Sequence, residues 1–525
     1  MCYDNKKDID RWEDHIMPQN KPLLIGYHTD IFKHFSHNPK FDLMAKTGKG
    51  VDFVLCHVDT VSGTYQDNLD HAEKTARAFT ELGVPFIACY EGQNFNLEQK
   101  TTDGHDWVHR GDGTHLLRLT PDYLEKLNSE GNCLGFMYDE LEHVIINRNI
   151  SLALESHFKE DRPAFPVSVS RDPVVQGELL SAQLRDYAAQ LKQYGAKTVS
   201  GEHVFPVLFH MFAKNGIIPN FKSQKESFSN VQFAIAAGAA KQYGTPLWNC
   251  VDLWCRMTYP GHTALEMYNN LVFAYLMGVD RVYVESTDAF MDNEGHLTDY
   301  GRMFRRFCDE YKGRERTYNV ADYQPEIGIV RYDDTFWGQG RVKWMWRNML
   351  FGNPAIKADA KCKEWIKVFD MITHGETGGG GISWGRVELR SLTRHRSFAS
   401  MNNAVVYDEN ATEKELATLK LCFLCGYTVS KETLAAAAKL VKENGLTVVA
   451  PERFAPKGCA LAKGQAFTEY PDGKGVWIVT KNFHSPQLKK RLSGFLGNKG
   501  EMRYVFAGEE FRFRIDKDGD GYTRV

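Results

Sequence analysis

The stretch Leu134–His143 reads LGFMYDELEH. A short apolar run that ends in the adjacent carboxylates Asp139 and Glu140 has the pattern of a buried β-strand delivering acids to its C-terminal end. In a parallel α/β barrel the catalytic groups sit at that end of the strands. The fold therefore depends on whether the chain holds seven more runs of this kind.

Working outward, comparable runs lie at 22–30 (PLLIGYHTD), 51–59 (VDFVLCHVD), 84–92 (VPFIACYEG), 196–204 (AKTVSGEHV), 217–227 (IIPNFKSQKES), 245–254 (TPLWNCVDLW) and 280–287 (DRVYVEST), which makes 134–140 the fourth of eight. Helical patterns separate them at Tyr65–Leu82, Gly177–Tyr194, Asn230–Tyr243 and Ala264–Met277. Gly83, Gly195, Gly244 and Gly278 close these patterns, as expected where a helix C-terminus takes a left-handed residue. Eight β–α units in residues 1–318 predict a (β/α)8 TIM barrel, with a doubly wound sheet as the fallback.

A second unit is predicted over 319–457. EIGIVRYDDTFWGQG (326–340) and NNAVVYDEN (402–410) read as strands, and 419–452 reads as strand, turn, amphipathic helix, glycine, strand, an α/β crossover. The Gly-rich HGETGGGGISWG (374–385) reads as a linker, because no Lys-Ser/Thr follows its glycines. The tail 458–525, with VWIVTKNF, EMRYVF and EEFRFRI, predicts a small antiparallel β-domain. Asp516, Asp518 and Asp520 copy the start of a calcium loop, but the bidentate Glu that such a loop needs is missing, so a tight turn is expected.

Composition narrows the function. Lys plus Arg (64) nearly balances Asp plus Glu (67), and a formal charge of -3 sets up no basic field for nucleic acid or an anionic membrane. No run is long enough to span a bilayer, and the N-terminus MCYDNKKDIDRWEDH has no apolar signal core. The 11 cysteines are scattered, and the one CxxC pair, Cys422 and Cys425, lies in an apolar run that suits buried free thiols in a reduced compartment. The chain reads as cytoplasmic, a trimmed leader to the periplasm or exterior being the alternative.

If the barrel is right, acids gather at its mouth: Asp30, Asp59, Glu91, Asp139, Glu140, Glu202, Glu226, Asp252 and Glu285. Burying a carboxylate costs several kcal/mol unless it is paired, so such a ring implies a metal, a polyhydroxylated ligand or strong pairing to Lys and Arg. His28, His57 and His203 stand on different strands without ligand spacing, and those of the long 91–132 connection (His105, His109, His115) match no metal pattern. A sugar is favoured over a metal, and no cofactor is implied. Two carboxylates across a pocket can then divide the roles of acid and nucleophile or base. Glu140 is the predicted general acid/base, and its partner is open between Glu226 and Asp252. Lys222 could neutralise Glu226 and Arg256 could neutralise Asp252. Substrate contacts are expected from His28, Asp30, Asp59, Tyr90, Glu91, Asp139, Glu202, His203, Trp248, Trp254 and Glu285.

GIVRYDDTFWG (328–338), AVVYDEN (404–410) and CFLCGYTVSKETLAAAAKLVKENGLTVV (422–449), placed between a barrel and a β-rich tail, give the chain an order of parts that resembles the family 42 β-galactosidases. The resemblance implies a catalytic barrel, a flavodoxin-like trimerisation domain and a small β-domain, hence a homo-oligomer, dimer or trimer. It implies an acid/base Glu after strand 4, which Glu140 matches, and a nucleophilic Glu after strand 7, where this chain has Asp252. Asp139 also replaces the Asn that precedes the acid/base in that family, which points to a related but distinct family. The expected function is a glycoside hydrolase that cleaves the glycosidic bond of an oligosaccharide or glycoside by a two-carboxylate mechanism with retention. The alternatives are a non-catalytic carbohydrate-binding protein on a barrel and a metal-dependent isomerase or lyase.

Overall fold

The computed structural model describes residues 21–29, 49–57, 64–90, 96–102, 105–110, 115–117, 120–138, 170–203, 208–224, 228–253, 262–285, 287–334, 349–351, 353–377 and 396–525. Its first unit is a closed barrel of parallel strands standing in chain order. They are β1 (Leu24–Thr29), β2 (Phe53–His57), β3 (Phe86–Tyr90), β4 (Cys133–Tyr138), β5 (Val199–His203), β6 (Ile218–Ser223), β7 (Trp248–Asp252) and β8 (Arg281–Glu285). β8 pairs back onto β1 with Leu24 opposite Arg281, which closes the ring. Each apolar run thus holds one barrel strand. Strands covered on both faces read as nearly continuous apolar segments. Here one face lines the interior with Phe53, Leu55, Ile87, Met137 and Tyr283, and the other meets the helices.

The helices α1 (Tyr65–Leu82), α2 (Pro121–Leu127), α3 (Pro173–Gln193), α4 (Phe209–Lys214), α5 (Ser229–Tyr243), α6 (Ala264–Leu276) and α7 (Asp299–Tyr311) follow β2 to β8 in turn. Thr64 with Asp67, and Thr263 with Glu266, form capping boxes at the starts of α1 and α6. Gly83 and Gly244 end α1 and α5 at φ 71 and φ 66. The long connection after β3 holds a small antiparallel sheet of its own, Asn96–Thr102, His105–Arg110 and His115–Leu117.

Side chains close the barrel floor. A Cβ on Gly26 would lie 2.5 Å from the Phe53 ring, so the glycine lets that ring lie across β1. Phe53 meets Tyr283 edge-on at 6.4 Å, and the Arg281 guanidinium lies 4.6 Å over Trp248. Trp248 is the first residue of β7, roughly 13 Å of strand below Asp252 at the usual rise per residue. It belongs to the floor and not to a stacking surface at the mouth, which corrects the expectation for this residue.

The second unit is a sheet of β9 (Ile327–Arg331), β10 (Ala404–Asp408), β11 (Leu421–Leu424), β12 (Thr447–Ala450), β13 (Phe467–Asp472) and β14 (Gly475–Thr480). Their spatial order is β10-β9-β11-β12-β14-β13, parallel except for β13. The parallel strands follow the doubly wound order 2-1-3-4-5. The predicted crossover is present: β11, then a helix, Lys431–Asn444, capped by Gly445, then β12 in parallel. Burial pushes the Cys422 thiol up to about 12, and Cys425 rises as well.

VWIVTKNF departs from expectation. Instead of opening the tail domain it supplies β14, paired in parallel with β12 from Thr447↔Val476 to Ala450↔Val479. The β13–β14 hairpin extends the free edge of β12, where the apolar residues Trp477 to Val479 are buried. The tail sheet contains β15 (Glu501–Phe506), β16 (Glu509–Ile515) and β17 (Tyr522–Arg524), antiparallel, with the short strand Met401–Asn402 added in parallel to β15. Asp516 Oδ1 accepts the backbone N–H groups of Gly519 at 2.7 Å and Asp520 at 3.1 Å, so DKDGDG forms a tight turn.

α5 is the seam between the units. Asp408, at the end of β10, accepts from Gln242 Nε2 at 2.6 Å and from the Tyr243 hydroxyl. Asp333, just past β9, accepts the Leu208 and Met211 N–H groups at 3.2 Å and so caps α4 from outside the barrel. No described helix is long and apolar enough to cross a membrane.

Candidate active site

Along β6, Ile218, Asn220 and Lys222 alternate onto the inner face, as Trp248, Cys250 and Asp252 do along β7. This periodicity carries Lys222 and Asp252 to the C-terminal end of the barrel. The neighbouring strands carry Glu202, next to last in β5, and Glu285, last in β8, and all three carboxylates converge on one ammonium. Lys222 Nζ lies 2.9 Å from Glu285 Oε2, 3.2 Å from Glu202 Oε1 and 3.4 Å from Asp252 Oδ2. The side chains of Lys222 and Glu202 are 1% exposed and that of Asp252 0%, while Glu285 is 15% exposed, which makes Glu285 the carboxylate of the group most open to solvent.

Beneath the ammonium, the Cys250 thiol donates to Glu285 Oε2 at 3.4 Å. Burial, together with the negative charges of Glu202 and Glu285, holds this thiol well above the usual range, so it stays protonated. One layer lower, Asn220 Nδ2 donates to the Tyr283 hydroxyl at 2.8 Å. Burial keeps that phenol protonated as well. One ligand atom each from Glu202, Cys250 and Glu285 lies within 4.8 Å of the others, close enough to hold a cation. The lysine ammonium already stands beside both of these carboxylates.

Of the predicted site residues, the structure brings together Glu202, Asp252 and Glu285. His28 is buried on β1, where its carbonyl accepts the Thr287 hydroxyl. Tyr90 ends β3 and His203 ends β5. Asp30, Asp59, Glu91, Asp139, Glu140, Glu226 and Trp254 lie outside the described residues. The alternation that was expected to reach Glu226 is regular as far as Ser223, where β6 stops, and Gln224 takes a left-handed φ of 66. Sequence reasoning treated Lys222 only as a counter-ion for Glu226 and gave Cys250 no role. Their signal was the inward period of two, shared with Asn220 and Asp252.

No protein-family model matches this chain, and no curated protein matches it. Solved structures similar to it include the exo-β-1,4-mannosidase Op5Man5 from Opitutaceae bacterium strain TAV5, at 8% identity and TM-score 0.48, covering 90% of this chain and 93% of that one. An apo exo-carrageenase GH42 from Bacteroides ovatus is similar at 9% identity and TM-score 0.38, covering 91% of this chain and 69% of that one. A 3-keto-D-glucoside 4-epimerase from E. coli is similar at 13% identity and TM-score 0.28, covering 56% of this chain and 100% of that one. These are likenesses of fold. The assignment of a (β/α)8 barrel rests on the strand pairing itself.

Proposed function

We propose that the protein is a glycoside hydrolase that cleaves a glycosidic bond with two carboxylates and retention of configuration. The observation that supports this best is the convergence of Glu202, Asp252 and Glu285 on Lys222 at the C-terminal ends of adjacent barrel strands. Glu140, which follows β4, is the general acid/base. Asp252, at the end of β7, is the nucleophile.

In this mechanism Glu140 protonates the glycosidic oxygen as an Asp252 oxygen bonds to the anomeric carbon and the leaving alcohol departs. The Glu140 carboxylate then takes a proton from water, and the water oxygen displaces Asp252 from the same carbon, releasing the sugar. Strand-end residues such as Asp30, Asp59, Glu91 and Asp139 bind substrate hydroxyls. The doubly wound unit, flavodoxin-like in this reading, joins chains into a dimer or trimer.

Glu140→Gln tests the reading on a panel of aryl glycosides. Hydrolysis should fall on the order of 10³-fold while binding persists. An unchanged rate would remove Glu140 from the mechanism, and loss of wild-type activity in EDTA would favour a metal-dependent enzyme.

A further inference from the structure

The donors around Lys222 have the composition of a cation site. Glu202, Cys250 and Glu285 come from three different strands, and their ligand atoms lie within 4.8 Å of one another. Into this group β6 sends Lys222, whose Nζ is 3.2 Å from Glu202 and 2.9 Å from Glu285, with Asp252 at 3.4 Å. An ammonium has three N–H donors on a compact centre, so it can serve three carboxylates on separate strands, whereas a planar guanidinium presents its donors in a fixed fork.

The groups facing the ammonium are Glu202 from β5, Cys250 and Asp252 from β7, and Glu285 from β8. Cys250 acts here as a hydrogen-bond donor to Glu285. A thiol bound to a metal would instead be deprotonated. The arrangement therefore suits an ammonium in the place of a metal ion.

We propose that Lys222 is a built-in cation and the positioning residue of this site: its ammonium stands where a metal ion would stand among Glu202, Cys250 and Glu285, and holds Asp252 in place. Only the consequence for catalysis rests on the glycosidase reading above.

Two experiments test the proposal. In the first, the full-length Lys222→Ala variant is titrated with Co²⁺. The variant should bind the ion with a thiolate-to-cobalt charge-transfer band and gain thermal stability from it, whereas the wild type should do neither. The band should vanish when Cys250→Ser is added. A Lys222→Ala chain that neither binds cobalt nor is stabilised by it overturns the built-in cation, as does a wild type that binds cobalt with the same band. In the second, Lys222→Arg keeps the charge and changes the geometry. On aryl glycosides kcat should fall on the order of 10²-fold with KM within about threefold, while the thermal midpoint stays near that of the wild type. An equal kcat would reduce Lys222 to charge compensation. A wild type inactive on every glycoside sinks the glycosidase reading and leaves the cobalt titration to decide the cation site.

Discussion

Lys222 donates to Glu285 across 2.9 Å and so joins β6 to β8, two strands with β7 between them. The bond passes above Cys250, and Asp252 lies on the same ammonium. A substitution among these carboxylates therefore acts on the whole group and has to be read against its neighbours.

The first prediction decides between Asp252 and Glu226 as the partner of Glu140, with Glu285 as a control. Asp252→Asn should lower kcat on aryl glycosides on the order of 10³-fold. Glu226→Gln and Glu285→Gln should each cost less than about tenfold if they contact only substrate or Lys222. Proton NMR of the first product formed should show the anomeric configuration of the substrate. A larger loss at Glu226 or Glu285 than at Asp252 would reassign the nucleophile.

A second prediction concerns the seam. A Cβ on Gly238 in α5 would lie 1.6 Å from the backbone carbonyl oxygen of Val406 in β10. A carbonyl within a sheet cannot rotate away, so helix and sheet would have to separate. Gly238→Ala should destabilise the chain by about 3 kcal/mol, although alanine is the better helix former. Denaturant unfolding measures this, and a neutral result would mean that the units do not pack through α5.

The barrel strands were legible because residues buried on both faces leave continuous apolar runs, and Gly83 and Gly244 marked the ends of α1 and α5. The chemistry at the mouth was legible in part. Asp252 and Glu285 could be placed at strand ends, but no linear pattern shows that Glu202, Asp252 and Glu285 meet on Lys222, because that depends on the stagger of β5 to β8 around the closed ring. The end of β6 was also hidden: Gln224 is not a residue type that announces a left-handed backbone. The sheet to which β14 belongs depends on which strand edge is open, and VWIVTKNF has the same composition in either sheet.

A third prediction isolates one hydrogen bond across the seam. Tyr243 in α5 donates its hydroxyl to Asp408, and burial with that carboxylate alongside raises the phenol well above its usual range. Tyr243→Phe keeps the ring and leaves Asp408 with Gln242 Nε2 and the Asn410 N–H as donors. The cost should be about 1–3 kcal/mol, as for other buried acceptors that lose a donor. Adding Gln242→Ala should cost more than the sum of the single changes, because the same carboxylate then loses both side-chain donors. Additive single and double variants would count against a shared network.

The last prediction is a pH dependence at the same seam. The Glu409 carboxyl is pushed up to about 8, first by burial and then by the negative charge of Asp408, with Lys214 pulling in the opposite direction. In the unfolded chain the group titrates near its ordinary value of 4.5. Between these two values the folded chain holds a proton that the unfolded chain has released, so its contribution to stability is full below the lower value and is lost as the pH rises through the upper one. Glu409→Gln keeps the shape and removes the titration. The stability difference between wild type and variant, measured by urea unfolding at about pH 5 and about pH 8, should therefore shift in favour of the variant at the higher pH. A difference that stays constant, or shifts toward the wild type, would show that Glu409 is already ionised in the folded protein at neutral pH.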